Sequence, residues 1–228
     1  MTTAEKLDII KEEISDCAKK SGRCSEDIML LPVTKTKTVE EIMPALEYGI
    51  KAIGENYVQE LVAKYDILCP YVEEFHMIGH LQSNKVKYLV DKVSLIHSVE
   101  SHSVLYEIQK QMKKRDKIQD ILLEVNLTKE DSKFGIYEEH LEEFYQKAKE
   151  CANVRVRGLM TMPPVDYQEA QLRGVFSKMR QIFERYNDQD SACDILSMGM
   201  SNDYTIAIEE GSTLVRIGSK IFGPRVYQ

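Results

Sequence analysis

The chain has no Cys-x-x-Cys pair. Its five cysteines, Cys17, Cys24, Cys69, Cys151 and Cys193, are scattered. An odd, unpaired set argues against a disulfide framework and fits reduced thiols in a cytosolic protein. No cluster of His, Cys, Asp or Glu has metal-ligand spacing, so no metal is expected. No apolar run is long enough to span a bilayer. The N-terminal Glu5, Lys6, Asp8, Lys11, Glu12 and Glu13 are unlike a signal peptide. Positive charge is not in excess either. The net charge is −7 and the pI about 5.4, which argues against general affinity for nucleic acid or anionic membrane. The one basic cluster, Lys110, Lys113, Lys114, Arg115 and Lys117, falls on a predicted helix and reads as a solvated face. No linker, low-complexity tract or repeat divides the 228 residues, so residues 1–228 are read as one domain.

What is present is a soluble balance of 43% hydrophobic and 29% charged residues, enough for a sizeable core. A single pattern recurs: a short apolar run, a small or polar stop, then an amphipathic helix. A first helix, from about Ala4 to Lys20, precedes any strand and is expected to pack over a barrel end or flank. Strands follow at Ile28 to Thr34, Lys51 to Gly54, Glu74 to Ile78, Ser94 to His97, Asp120 to Val125, Val154 to Leu159, Asp194 to Leu196 and Thr213 to Ile217. Helices are expected between them at Val39 to Glu47, Tyr57 to Leu68, Asn84 to Val90, Ser103 to Lys114, Glu138 to Cys151, Tyr167 to Tyr186 and Asp203 to Glu210. A last short turn covers Lys220 to Phe222. Pro44 should kink or break its helix. A loop from Thr128 to Gly135 precedes the helix at Glu138. Strict alternation argues for a parallel sheet, and eight units argue for an α/β fold closed as a single (β/α)8 TIM barrel with an extra N-terminal helix. A doubly wound open sheet is the competing architecture.

The strand ends carry Lys35, Asn56, His80, Ser98, Asn126, Thr161, Ser201, and Arg216 with Ser219. In a barrel these share the mouth where chemistry is done. Polar residues end most strands, which covers Ser98 and Thr161 easily; a lysine and an arginine are harder to dismiss. Lys35 stops the first strand just before a helix opened by Thr38 and Glu41, a capping-box pair. Lys37 is two residues on, and two ammonium groups in one cleft would each lower the other's pKa, leaving an amine able to attack a carbonyl. At the other end of the chain, Ser197-Met198-Gly199-Met200-Ser201 and Val215-Arg216-Ile217-Gly218-Ser219 each lead into a helix. Small residues there let backbone N–H groups approach an anion, and barrels often hold phosphate in these loops. A Schiff-base lysine opposite a phosphate cup suits a phosphorylated aldehyde such as pyridoxal 5′-phosphate, with Arg216 near the ring. His76 and His97 sit in strands and read as satisfied core histidines. Met198 and Met200 read as packing, and Asp203 as a cap or charge at its helix N-terminus.

Five stretches, taken together, resemble the pyridoxal-phosphate homeostasis protein family, itself similar to the barrel domain of alanine racemases. They are Val33-Thr34-Lys35-Thr36-Lys37, Gly54-Glu55-Asn56-Tyr57-Val58-Gln59-Glu60, Phe75 to Lys85, Ser197 to Ser201, and Gly211 to Gly223. The resemblance implies Lys35 as the Schiff-base lysine, Ser201, Gly218 and Ser219 at the phosphate, Arg216 near the pyridine nitrogen, and Asn56 near the cofactor. His80, Asn84 and Lys85 belong to a family signature without a derivable role. Family members usually carry proline where this chain has Thr38. The implied function is binding of pyridoxal phosphate in vitamin B6 and amino-acid homeostasis, by a cytoplasmic monomer whose partners include apo pyridoxal-phosphate enzymes.

Arg216 bears on whether such a protein turns over substrate. An arginine only donates, so it keeps the ring nitrogen unprotonated and weakens the cofactor as an electron sink. Racemases of this fold take a second base from an added domain, and here the barrel uses the whole chain. The expectation is a carrier or buffer rather than an efficient enzyme. Two alternatives stay open: a pyridoxal-phosphate-dependent racemase or lyase, and an aldolase-type barrel in which Lys35 attacks a sugar phosphate without a cofactor.

Overall fold

The computed structural model describes residues 1–128 and 134–224. Helix α1 (Thr3–Lys20) comes first, then β1 (Met29–Pro32), α2 (Val39–Glu47), β2 (Ala52–Glu55), α3 (Val58–Leu68), β3 (Glu74–Met77) and β4 (Leu95–Val99). After these come α4 (His102–Lys113), β5 (Gln119–Asn126), β6 (Ile136–Tyr137), α5 (Glu138–Lys149), β7 (Val154–Met160) and α6 (Glu169–Gln189). The chain continues through β8 (Ile195–Met200), α7 (Tyr204–Glu209), β9 (Leu214–Ile217) and α8 (Ser219–Phe222).

The strands form an all-parallel sheet in the order β1-β9-β8-β7-β5-β4-β3-β2, with β6 appended to β5. The two ends of that path meet. Val33 bridges Gly54 in parallel, and the Thr34 N–H donates to the Gly54 carbonyl at 2.9 Å. Eight strands thus close into a barrel in which each neighbour is the next strand of the pattern. The expected α/β barrel is the fold.

Closure divides the side chains by the two-residue period of a strand. One set faces the helices and forms the two large apolar clusters, which hold Ile53, Phe75, Ile96, Ile121, Leu123, Leu196 and Val215. The other set points inward. Leu31, Val33, Ala52, Ile78 and Leu214 fill one part of the interior and Leu95, Leu122 and Met160 another. Between them lie buried polar residues: His76, His97, Glu124, Ser197 and Arg216. At the N-terminal end of the strands, Arg157 joins Asp120 (3.0 Å) to Asp194 (2.8 Å), and Arg155 pairs with Asp120 (2.6 Å).

α1 is not an appendage. The terminal helix α8 has only four residues, too few to cover β9 and β1. α1 lies against α2, α7 and α8 and buries Leu7, Ile10, Ile14, Cys17 and Ala18 in the shell that also holds Ile28, Val215 and Ile217. Its reciprocal Thr2–Glu5 capping box fixes its start. Lys6 donates to the Ile221 carbonyl at 3.0 Å and Arg23 to the Ser212 carbonyl at 2.9 Å. α1 therefore does the work of the eighth barrel helix.

The structure corrects the sequence reading at several places. The helix expected from Asn84 to Val90 is a 3-10 stretch, Ser83–Tyr88. β6 was not foreseen: two residues are too few for a period to register. α2 runs through Pro44 unbroken. Its capping box (Thr38 N–H to Glu41 at 2.8 Å) and the burial of Ile42, Ala45 and Leu46 outweigh the one missing N–H. The expected loop from Thr128 to Gly135 lies partly outside the described residues.

Candidate functional site

A cavity of about 260 Å³ opens at the C-terminal ends of the strands. Lys35, Asn56, Ser201, Arg216, Gly218 and Ser219 all line it, although they come from opposite ends of the chain. Adjacent strands β1 and β9 explain the meeting, since Leu31 pairs with Arg216 and Pro32 with Ile217.

The turn that carries Lys35 is held from below. Thr34 is buried, and its hydroxyl donates to Glu55 at 2.6 Å. Lys64 donates to the Thr34 carbonyl (2.9 Å), Glu55 (2.8 Å) and Glu60 (2.9 Å). Glu60 in turn accepts from the Thr36 N–H at 2.7 Å. Thr36 has φ +60, the left-handed region a β-branched residue avoids, so these contacts hold a strained turn. Burial pushes the Glu55 carboxyl above its ordinary range, with Lys64 opposing. Lys37 also lines the cavity, but its ammonium lies 3.0 Å from Glu41. Lys35 and Lys37 thus share one cleft, as expected, with Glu41 offsetting the charge of Lys37.

Asn56 sits where backbone crowding fixes it. A β-carbon on Gly79 would lie 2.2 Å from the Asn56 carbonyl oxygen, so only glycine fits there. Among the described residues, the buried Asn56 Oδ1 has no hydrogen-bond partner. A buried acceptor without a donor, lining a cavity, is a place for a ligand's donor.

The β8 and β9 loops supply the opposite wall. Gly199 has φ +94, and a β-carbon there would lie 2.6 Å from that of Ala207, so the glycine lets α7 pack close. Asp203 stands at the N-cap position of α7, as expected, but its side chain makes no capping bond to the helix; its carboxylate accepts from the Met200 N–H and closes the loop before the helix. Ser201 accepts from the Gly218 N–H at 3.2 Å, tying the two loops together. Ser219 opens α8, whose first N–H groups, as in any helix, have no acceptor within it. These groups suit an anion.

Arg216 is fully buried. It donates to the Ser197 hydroxyl (2.5 Å) and the Thr161 carbonyl (3.0 Å). Burial pushes its pKa down to about 10, against the pull of Glu124 and Asp203, so the guanidinium stays charged near neutrality. Burial and the nearby Glu100 push Glu124 up to about 8.

His80, Asn84 and Lys85 do not line the cavity. His80 stacks on Phe134 with ring centroids 3.7 Å apart and pairs with Glu100 at 2.9 Å, which ties the β3 and β4 ends to the segment before β6. Asn84 is exposed. Sequence reasoning missed the apolar lining: Val33, Ile78, Met162, Val165 and Phe222. It also read Met200 as packing, whereas Met200 lines the cavity. Among the described residues no group of three His, Cys, Asp or Glu could hold a metal, and no helix is long and apolar enough to cross a membrane.

A closed parallel barrel, with a cavity at its mouth lined by the Lys35 turn after β1 and by the loops after β8 and β9, defines the class. Residues 7–226 match the model of the alanine racemase N-terminal domain. The chain is 42% identical to the pyridoxal phosphate homeostasis protein of Aquifex aeolicus (strain VF5), with all of both chains covered. It is 35% identical to that of Escherichia coli (strain K12), over 98% of this chain and 97% of the relative. The solved structure of PipY from Synechococcus elongatus PCC7942, with pyridoxal phosphate bound, superposes with a TM-score of 0.85 at 27% identity, covering 97% of this chain and all of PipY. The chain belongs to the pyridoxal phosphate homeostasis protein family.

Proposed function

We propose that this chain binds pyridoxal 5′-phosphate in the Lys35 cavity and serves vitamin B6 and amino-acid homeostasis as a carrier or buffer. One observation carries the reading: a single cavity gathers the Lys35 amine, the small-residue loops of Ser201 and Gly218-Ser219, and the buried Arg216 guanidinium. The residues fit the molecule. Lys35 would hold the aldehyde carbon. Ser201, Gly218 and Ser219 would hold the phosphate, since Gly218 has no side chain to fill the cup and a β-carbon there would press on Val33 at 3.3 Å. The unpartnered Asn56 Oδ1 would take a hydrogen from the cofactor's ring hydroxyl. Arg216 would face the pyridine nitrogen. When bound, the cofactor offers an aldehyde for the amine and a ring that withdraws electrons.

Two features favour holding over turnover. Arg216 remains a charged donor near neutrality, so it presents hydrogens and never a proton acceptor to the ring nitrogen. The rim residues Met162 and Val165 are 38% and 88% exposed, so the mouth is open to water. The reading includes a cytoplasmic monomer that hands the cofactor to apo pyridoxal-phosphate enzymes.

Gel filtration after incubation with pyridoxal phosphate tests the binding. About one cofactor per chain should co-elute, and a cofactor-free peak would reject the reading. Incubation of the loaded protein with amino acids in heavy water tests the racemase or lyase alternative. Exchange at the α-carbon at ordinary enzymatic rates would favour it over the carrier.

A further inference from the structure

Inside the barrel, below the cavity, four side chains form a continuous hydrogen-bonded line away from Arg216. Arg216 reaches Ser197 Oγ at 2.5 Å. Ser197 Oγ lies 3.0 Å from His97 Nδ1, and His97 Nε2 lies 3.0 Å from His76 Nδ1. His76 Nε2 lies 3.0 Å from a carboxylate oxygen of Glu74. Glu74 is the first residue of β3 and half exposed at the far end of the barrel, whereas Ser197, His97 and His76 are buried.

Both ends of this line have fixed roles, and they set every hydrogen between. A guanidinium only donates and an ionised carboxylate only accepts. Ser197 therefore accepts from Arg216 and gives its own hydrogen to His97 Nδ1. His97 then carries its hydrogen on Nε2 and gives it to His76 Nδ1. His76 carries its hydrogen on Nε2 and gives it to Glu74. The ordering needs both imidazoles neutral.

The line matters because of what is absent beside Arg216. Among the described residues, no carboxylate lies within salt-bridge distance of this buried guanidinium. Glu124 and Asp203 act on it only through longer-range attraction. Its direction is set by neutral partners, the Ser197 hydroxyl and the Thr161 carbonyl. A hydroxyl alone can rotate. One whose hydrogen is committed to His97 cannot, and its lone pairs stay aimed at Arg216.

We propose that Ser197, His97 and His76 are positioning residues for Arg216. They form a one-way relay, anchored by Glu74 across the barrel, that fixes how the guanidinium faces the cavity. The functional half of this inference rests on Arg216 facing a bound pyridoxal ring; the relay itself does not.

Two measurements test the two halves separately. Nitrogen-15 NMR of the cofactor-free protein reads the tautomers. Both histidines should show a protonated Nε2 and a bare Nδ1, and a proton on Nδ1 of His97 overturns the relay. With pyridoxal phosphate, Ser197→Ala should weaken retention by about tenfold, the worth of one good hydrogen bond. It should also shift the absorption band of the bound cofactor. Ser197→Thr, which restores the hydroxyl, should recover both. A Ser197→Ala protein that retains the cofactor with an unmoved band overturns the positioning role. Wild-type protein that binds no cofactor defeats the functional reading, while the NMR still decides the relay.

Discussion

The ammonium group of Lys64 donates to the backbone carbonyl of Thr34 at 2.9 Å, one residue before Lys35, which lines the cavity. The turn that carries Lys35 is thereby tied to α3, because the same ammonium reaches Glu55 and Glu60, and Glu60 holds the Thr36 N–H.

Lys64→Met should loosen this turn and leave the Glu55 carboxylate buried without its partner. Breaking a buried pair from one side costs about 3–5 kcal/mol. Burial already raises the pKa of Glu55, and losing Lys64 raises it further. A carboxyl raised in the folded state is stable below its unfolded pKa and loses that stability as pH rises. The deficit relative to wild type should therefore shrink toward pH 5. Urea denaturation across pH 5–8 reads it, and a pH-independent deficit would contradict this.

Gly79→Ala should destabilise by about 1–3 kcal/mol or more, because its β-carbon would stand 2.2 Å from the Asn56 carbonyl oxygen. The matched control is Gly174→Ala in α6, where nothing lies within 4 Å. That change should stabilise by up to about 1 kcal/mol through helix propensity. Thermal unfolding of the two variants side by side separates local crowding from a general intolerance of alanine.

Leu7→Ala should cost about 2–5 kcal/mol, the range for a fully buried leucine. A terminal appendage would lose far less. Circular dichroism melts distinguish the two, since loss of α1 should lower the single transition of the whole barrel.

Two buried groups bend the stability of the fold with pH in opposite directions. His97 is held well below 6.5 by burial, His76 and Arg216. The unfolded chain takes up its proton below about 6.5 and the folded chain does not, so stability falls with decreasing pH, by up to ~1.4 kcal/mol per unit. Glu124, raised from 4.5 to about 8, keeps in the folded chain a proton that the unfolded chain loses. Its contribution is full below 4.5 and is lost as pH rises through 8. Glu124→Gln should flatten the decline between pH 6.5 and 8, and His97→Gln the decline on the acid side. Urea midpoints measured in half-unit steps check both.

The barrel was legible because its strands are short apolar runs ended by polar or small residues, and because Gly49, Gly211 and Pro70 punctuate the helices. That Lys35, Arg216 and the Gly218-Ser219 pair would share one cavity was legible for a related reason: they stand at strand ends, and closure brings strand ends together. The 3-10 stretch Ser83–Tyr88 was hidden, since Val86 and Leu89 mimic helical spacing. The pairing of Lys37 with Glu41 could have been read from their four-residue spacing across the helix start. The relay was not legible. His76, His97 and Ser197 lie far apart in sequence, and only the inward-facing register of three separate strands aligns them.

The central claim is that the amine of Lys35 holds an aldehyde in this cavity, and borohydride reduction tests it most directly. Wild-type protein incubated with pyridoxal phosphate, reduced, digested and mapped by mass spectrometry should carry the reduced adduct on Lys35, and Lys35→Ala should carry none there or elsewhere in the cavity. An adduct that persists in Lys35→Ala on Lys37, or wild-type protein that reduces without any adduct at Lys35, would contradict the account.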